Sequence, residues 1–262
     1  LTAIDNLGNS CVKTYSVFVD SISPELRLLN PEVTEVWMKK DVTLRAAASD
    51  SGSGVRVDSW CWSKDGGRNY GRTSTAASSA TFTEDGRYSV IFSASDFAGN
   101  RGYTSAANVL IDRAAPDIGL SGSADGVWQN FNFVTASASD SVSYVNDESW
   151  TCSLDEGPYE SGKTARNLSD GKHVVSFKVS DFAGNSGSAV FNIYSDITLP
   201  VIEDFTRLTK INEVRPVLYD LTSGIVDSLV FWRLDGGEAH HGFEGFVPEG
   251  IHRLEFSASD RA

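Results

Sequence analysis

Methionine and histidine are nearly missing from this chain, and cysteine is scarce. Its 262 residues include one Met, four His, seven Pro and three Cys. An odd number of cysteines, Cys11, Cys61 and Cys152, cannot all pair within one chain. Cys61 and Cys152 fall in different copies of the repeat described below, one strand position out of register, which argues against a disulfide inside one domain. Cys152 reads as a small buried hydrophobe, and the redox compartment stays open. Basic residues are outnumbered, with 22 Lys and Arg against 35 Asp and Glu and a net charge of −13. Such a surface repels a phosphate backbone and argues against nucleic acid as a partner. The acidic residues are scattered, as on a soluble, mutually repelling surface. No apolar run approaches the ~20 residues of a membrane span. The opening Leu1-Thr2-Ala3-Ile4-Asp5 is repeat sequence and not a signal peptide, so the chain is expected to be a segment of something longer. No helical period of any length stands out. No Ser–His–Asp, Cys–His or Gly-rich phosphate arrangement recurs in repeat-equivalent form. No acid/base pair is singled out for glycoside hydrolysis. The expectation is a protein that is not an enzyme.

What is present is a repeated turn. Ser95-Asp96-Phe97-Ala98-Gly99-Asn100 returns letter for letter as Ser180-Asp181-Phe182-Ala183-Gly184-Asn185. A looser copy opens the chain (Ile4-Asp5-Asn6-Leu7-Gly8-Asn9), and a fourth begins at Ser259-Asp260. The spacing, roughly 80–90 residues, marks tandem units, each large enough to bury a core unaided. A strand ending in Asp with a proline close behind closes each unit. The three examples are Val12–Val19 with Asp20 and Pro24, Val109–Ile111 with Asp112 and Pro116, and Phe191–Ser195 with Asp196 and Pro200. Proline cannot donate to a ladder and stiffens the connection. Four segments follow: 1–20 as the last strand of a preceding repeat, 21–112 and 113–196 as full repeats, and 197–262 as a third repeat lacking its final strand. The simplest account is a piece of a longer array. The sharper one is donor-strand complementation, in which residues 1–20 of one molecule complete the third repeat of the next.

Inside each unit the strand signals recur in order. Val42–Ala46 matches Phe131–Thr135 and Val214–Tyr219, and a turn follows at Asp50, Asp140 and Asp220. An aromatic strand comes next (Trp60-Cys61-Trp62, Trp150-Thr151-Cys152, Val230-Phe231-Trp232) and leads into Asp65-Gly66-Gly67, Asp155-Glu156-Gly157 and Asp235-Gly236-Gly237. Asp-Gly between apolar runs is a hairpin signal. The strand before the repeated turn alternates strictly as Tyr88, Val90, Phe92, Ala94, with His173, Val175, Phe177, Val179 and His252, Leu254, Phe256, Ala258 as its equivalents. Alternation puts each set on one face, toward a core. About seven strands per unit predict an all-β fold of tandem immunoglobulin-like β-sandwich domains.

This order of motifs resembles the tandem bacterial Ig-like repeats of large secreted and cell-surface proteins, adhesin stalks among them. The resemblance spans essentially the whole chain. The second repeat departs from it, with Ser141-Val142-Ser143 in place of the S-G type and Asp155-Glu156-Gly157 in place of D-G-G. It implies an extracellular or cell-surface location and a structural spacer role. A glycan- or protein-binding module and an accessory region of a secreted hydrolase are the alternatives. Expected partners are neighbouring repeats and, for the binding alternative, a cell-surface glycan or protein, with no nucleic acid and no membrane insertion.

Arrays of this kind often hold calcium near domain junctions, and carboxylates suit its hard, flexible coordination. The resemblance therefore marks Asp50, Asp96 and Asp112 in the first repeat, and Asp140, Asp181 and Asp196 in the second, if their loops share an end of the sandwich. The competing account is that Asp starts turns by bonding its own backbone. Phe97 and Phe182 could touch a partner, but packing over a sandwich end or on the next domain is the simpler expectation. Trp60, Trp62, Trp150 and Trp232 read as core, not as a carbohydrate platform, and Trp37 and Trp128 as edge residues. His240-His241 point to opposite faces if extended, which favours a solvated loop over a metal site. His173 and His252, at the Tyr88 position, read as partly buried structural residues. Asn167-Leu168-Ser169 is the one glycosylation sequon singled out.

Overall fold

A computed structural model describes residues 2–71, 78–203, 213–214, 216–242 and 245–262. The chain divides into two compact units, Leu1–Arg113 and Ala114–Ala262.

The first unit opens on a hairpin, β1 (Thr2–Ile4) and β2 (Ser10–Val12), folded about the turn Asp5–Asn9. The strand expected over Val12–Val19 is not formed beyond Val12. Val17, Phe18 and Val19 are 80%, 75% and 82% exposed, and no strand among the described residues pairs with them. A β pattern without a ladder partner leaves its backbone groups to water.

The sandwich that follows comprises β3 (Glu25–Leu28), β4 (Trp37–Met38), β5 (Val42–Ser49), β6 (Cys61–Ser63), β7 (Ser79–Phe82), β8 (Gly86–Ser95), β9 (Arg101–Tyr103) and β10 (Ala107–Ile111). One sheet runs β3-β5-β7; the other runs β4-β10-β8-β6, with β9 also on β8. The inward-facing Val42, Leu44 and Ala46 meet Val90, Phe92, Ala94, Val109 and Ile111 in a core that includes Trp60.

The second unit opens on a sandwich of the same plan. Its strands are β11 (Asp117–Ser121), β12 (Trp128–Gln129), β13 (Phe133–Ser139), β14 (Val145–Leu154), β15 (Glu160–Ser161), β16 (Thr164–Arg166), β17 (Gly171–Asp181) and β18 (Ser186–Ser195). They form a β11-β13-β16 sheet and a β12-β18-β17-β14-β15 sheet. Val134, Trp150, Cys152, Leu168, Val175, Phe177 and Ile193 fill the space between them. The two-residue edge strands bring each sandwich above the expected seven; β4 and β12, carrying Trp37 and Trp128, lie parallel to the closing strands β10 and β18.

The rest of the unit repeats parts of the plan: β19 (Val201–Glu203), β20 (Glu213–Val214), β21 (Val217–Tyr219), β22 (Phe231–Leu234), β23 (His240–His241), β24 (Gly245–Phe246) and β25 (Leu254–Ser257). The strand expected over Val214–Tyr219 is seen as the end of β20 and as β21, and Arg215 lies outside the described residues. His240 and His241 sit on a strand and not in a loop, each ring against a neighbour on β22, Trp232 at 4.6 Å and Phe231 at 4.3 Å between centroids. The architecture is all-β, a tandem of immunoglobulin-like sandwiches.

Two glycines two residues past the repeated turns hold each sandwich closed. A Cβ on Gly102 would stand 2.0 Å from the Pro24 carbonyl oxygen, and one on Gly187 would stand 2.3 Å from that of Pro116. The obstacle is backbone, so it cannot swing aside. Gly187→Ala is expected to cost about 1–3 kcal/mol, the usual range for an overpacked site. Thermal unfolding against Ser188→Ala, at an exposed position on the same strand, measures it; equal melting temperatures would show that the strand can step away.

Candidate metal centre

The repeated turn is built by its aspartate. Asp96 Oδ1 accepts from the backbone N–H of Gly99 at 2.6 Å and of Asn100 at 2.8 Å, while Asn100 Nδ2 donates to Oδ2 at 2.8 Å. Asp181 and Asn185 make the corresponding pair of bonds, each 2.8 Å. Gly99 and Gly184 supply the positive φ (99° and 81°) that lets the chain turn inside this clamp. Asn100 Nδ2 also reaches back to the Asp20 carbonyl at 3.1 Å, tying the turn to the segment that enters the repeat.

A second aspartate builds the facing loop. Asp50 Oδ1 accepts from Gly52 and Gly54; Asp140 Oδ1 from Val142, Ser143 and Tyr144; Asp220 Oδ1 from Thr222, Ser223 and Gly224. This is the Asx-type capture of backbone N–H groups that competes with metal ligation as an explanation for Asp. The second repeat keeps the loop although Tyr144, with φ 67°, stands where the others have Gly54 and Gly224. The two loops are stitched together by a serine that recurs in all three repeats: Ala98 N–H donates to Ser53 Oγ, Ala183 N–H to Ser143 Oγ and Arg261 N–H to Ser223 Oγ.

The third carboxylate comes from the closing aspartate at the entrance of the repeat, not from the one at its exit. Carboxylate oxygens of Asp20, Asp50 and Asp96 lie within 4.8 Å of one another, and so do those of Asp196, Asp220 and Asp260. The expected grouping of Asp112 with Asp50 and Asp96 is thereby corrected. Ile111 pairs with Gly86 at the start of β8, whereas Asp96 follows the end of that ten-residue strand. At ~3.3 Å per residue the two aspartates stand about 30 Å apart, at opposite ends of the sandwich. The same register separates Asp196 from Asp140 and Asp181, since Ser195 pairs with Gly171 at the start of β17. In sequence, Asp112 stands to Asp140 and Asp181 as Asp20 stands to Asp50 and Asp96. Asp112, Asp181 and Asp196 are buried, and Asp140 is half-buried. Asp20, Asp220 and Asp260 are legible in the sequence as repeat equivalents, but only the strand directions show which three meet.

The donor set fits a hard cation. Most of the carboxylate oxygens already accept from loop amides, including Ile22 N–H on Asp20 Oδ1 and Ser53 N–H on Asp20 Oδ2. A hydrogen bond from the Ser53 side chain foremost, then these backbone bonds, hold the Asp20 carboxyl below the usual carboxylate range. Asp50 Oδ2 is different: it is buried and has no hydrogen-bond partner among the described residues. A carboxylate oxygen withdrawn from water beside two further carboxylates lacks a positive charge, and oxygen-only ligation is what calcium takes. Gly52 makes room for the arrangement, because a Cβ there would fall 2.4 Å from Asp20 Oδ2.

Other marked residues have structural surroundings. Trp60, Trp150 and Trp232 are buried and Trp62 packs against the first core, as expected. Phe97 and Phe182 are 69% and 60% exposed, contrary to the expectation that they cover a sandwich end. Asn167 is exposed in a left-handed turn (φ 59°). No helix among the described residues is long and apolar enough to cross a membrane.

No family model matches the chain, and no curated protein matches it in sequence. Among solved structures, the fibronectin(III)-like modules of Clostridium thermocellum CbhA are 18% identical with a TM-score of 0.30, the match covering 65% of this chain and 94% of theirs. The protocadherin GammaB4 extracellular domain is 14% identical with a TM-score of 0.40, over 93% of this chain and 48% of that one. Bacteroides ovatus SGBP-B, in complex with a mixed-linkage heptasaccharide, is 9% identical with a TM-score of 0.26, over 93% of each chain.

His173 carries the clearest dependence on pH. Its Nδ1 lies 2.8 Å from Asp155 Oδ2 and its Nε2 2.8 Å from the Ser169 carbonyl oxygen, so both nitrogens face acceptors. Only the imidazolium donates on both sides. Burial opposes the charge, but the Asp155 and Ser169 bonds outweigh it and raise the pKa. The resulting stability is fully present below the unfolded value of about 6.5 and is lost as pH rises through the higher folded value. Melting temperatures followed from about pH 5.5 to about pH 9 are expected to fall more steeply for the natural chain than for His173→Gln. Parallel curves would mean the bonds do not depend on the proton.

Proposed function

We propose that the chain is a non-enzymatic spacer segment of an extracellular or cell-surface repeat protein of the bacterial, adhesin-type kind. Calcium ties the segment that enters a sandwich to two of that sandwich's loops. The observation that carries this reading is the Asp20, Asp50 and Asp96 cluster, in which a residue of the segment entering a sandwich meets two of its loops around a buried oxygen without a hydrogen-bond partner among the described residues. A cation shared in this way resists bending at a short connection, the property a stalk needs. Asp196, Asp220 and Asp260 repeat the set beside the exposed Ile197 and Leu199. The clustered carboxylates are engaged by loop amides, which supports positioning of an ion over proton transfer.

A binding role is the second reading. The observation favouring it is Arg101 set against the part-exposed rings of Tyr70, 5.3 Å away, and Tyr103, 5.6 Å away. A reproducible hit on a glycan array, lost in Tyr103→Ala, would favour that reading over the spacer.

Calorimetric melts with calcium and with chelator test the proposal. At ~100-fold excess over its dissociation constant, a ligand adds about 2.7 kcal/mol, which moves a domain of this size by several degrees. The first sandwich is expected to melt higher with calcium, and Asp50→Asn is expected to remove most of that gain. Cleavage by a broad protease at Ile197–Leu199 is expected to slow with calcium. Melts unmoved by calcium would overturn the reading and leave the aspartates as turn formers.

A further inference from the structure

The second sandwich has a groove beside its edge strand β12 that the first sandwich fills. It is lined by Ser123 and Ala124 of the loop entering β12 and by Trp128, Asn130 and Phe131. Counted back from the two tryptophans, Ala124 stands where the first sandwich has Val33, and Gly122 where it has Pro31. Val33 ends a short 3-10 helix, Pro31–Val33, and packs against the first core. Alanine in its place removes that plug. The tryptophans differ as well. Arg87 lies over the Trp37 ring, 4.8 Å from its centroid. Its equivalent Lys172 lies instead over Tyr194, at 4.7 Å, and Tyr194 packs beside Trp128 at 5.4 Å. The half-buried Trp128 thus lacks the guanidinium that covers Trp37.

The residues that follow change in the same direction. After Trp37 come Met38, Lys39 and Lys40; after Trp128 come Gln129, Asn130 and Phe131. Charge gives way to amides and a second ring at the same edge. Both parts of the groove are tied to β18. Asp125 Oδ1 accepts from Asn192 N–H at 2.5 Å, and Gly126 N–H donates to the Asn192 carbonyl at 2.7 Å. The Phe131 carbonyl accepts from Ser195 Oγ at 3.2 Å and from Gln129 Nε2 at 3.4 Å. A site held in place before its ligand arrives loses less on binding. Asn130 is exposed, and its side-chain amide has no hydrogen-bond partner among the described residues.

We propose that this groove binds a neutral oligosaccharide. A pyranose ring offers a face of weakly positive C–H groups, which suits the negative face of an aromatic ring, and a rim of hydroxyls. Trp128 and Phe131 meet the face. Asn130, which both donates and accepts, and Ser123 meet the rim. A few placed polar groups beside rings are what fixes a small ligand in such a site. No described residue lining the groove is charged, and the net charge of −13 repels an acidic glycan. The site is separate from the Arg101 cluster of the first sandwich and does not depend on calcium.

Calorimetric titration of the whole chain with cellohexaose, xylohexaose, mannohexaose and maltohexaose tests this, with hexagalacturonate as the acidic comparison. At least one neutral sugar is expected to bind with a dissociation constant below about 1 mM. Trp128→Ala is expected to weaken that binding more than about tenfold, as loss of an aromatic anchor does, and Trp37→Ala to leave it unchanged. Two exposed positions guard against a folding effect. Ala124→Val, which restores the plug, is expected to weaken binding as much as Trp128→Ala without moving the melt, and Asn130→Ala to weaken it several-fold. No neutral sugar bound at about 1 mM, hexagalacturonate bound as tightly, or binding untouched by both Ala124→Val and Asn130→Ala would each overturn the proposal. So would binding lost in Tyr103→Ala and kept in Trp128→Ala, which would put the sugar at the Arg101 cluster.

Discussion

An aspartate that spends one oxygen on backbone amides and the other on the side chain of an asparagine four residues on is the interaction from which the rest of this structure is hung. Asp5 and Asn9 show that it is local. There the turn is exposed throughout, yet Leu7 and Asn9 N–H donate to Asp5 Oδ1 and Asn9 Nδ2 to Oδ2, each within 2.9 Å. Short-range geometry alone thus fixes the turn, by offering the backbone a side-chain acceptor in place of a ladder. In the sandwiches the same clamp ends a long core strand, β8 or β17, and sends the chain back along it. Every ladder and core contact downstream inherits its register from that reversal.

The clamp also creates an electrostatic problem. It buries a charged carboxylate, with Asp96 and Asp181 at 0% and 2% exposure, at the sandwich end where a second loop is built around another aspartate. Loop amides satisfy most of the oxygens, but they carry only partial charge and cannot neutralise Asp20, Asp50 and Asp96, whose carboxylates gather within 4.8 Å of one another. Asp20 joins Asp50 and Asp96 because the segment that enters the first sandwich arrives beside that sandwich's repeated turn, where Asn100 Nδ2 donates to the Asp20 carbonyl oxygen.

Much of this is open to reading in the sequence. Strict alternation at Tyr88–Ala94 and His173–Val179 identifies the core strands, and Phe92 and Phe177 are fully buried at their centres. The aspartates stand out in the sequence as a class, but their expected grouping differs from the one the fold makes. Sequence order groups residues by repeat, whereas space groups them by sandwich end, and only the antiparallel pairing of β8 with β10 tells Asp112 from Asp20. Gly102 and Gly187 escape notice in the sequence for a related reason. Each is needed because a proline carbonyl from the far side of its own repeat lies against it, a contact with no short-range signature. The strand expected over Val12–Val19 is a correct reading of pattern, but a strand is completed by its neighbour.

That last point separates what a segment encodes from what it adopts. Residues 10–19 and 186–195 share spacing, alternation and a terminal aspartate, yet one forms three residues of strand followed by exposed chain and the other a ten-residue strand. The difference lies in the acceptor: β17 offers β18 an unbroken row of backbone groups and half a hydrophobic core, and nothing among the described residues offers that to Val17 or Val19. β propensity is a measure of fit to such a surface more than of backbone preference. An apolar, alternating segment left without its surface stays competent for the pairing it encodes.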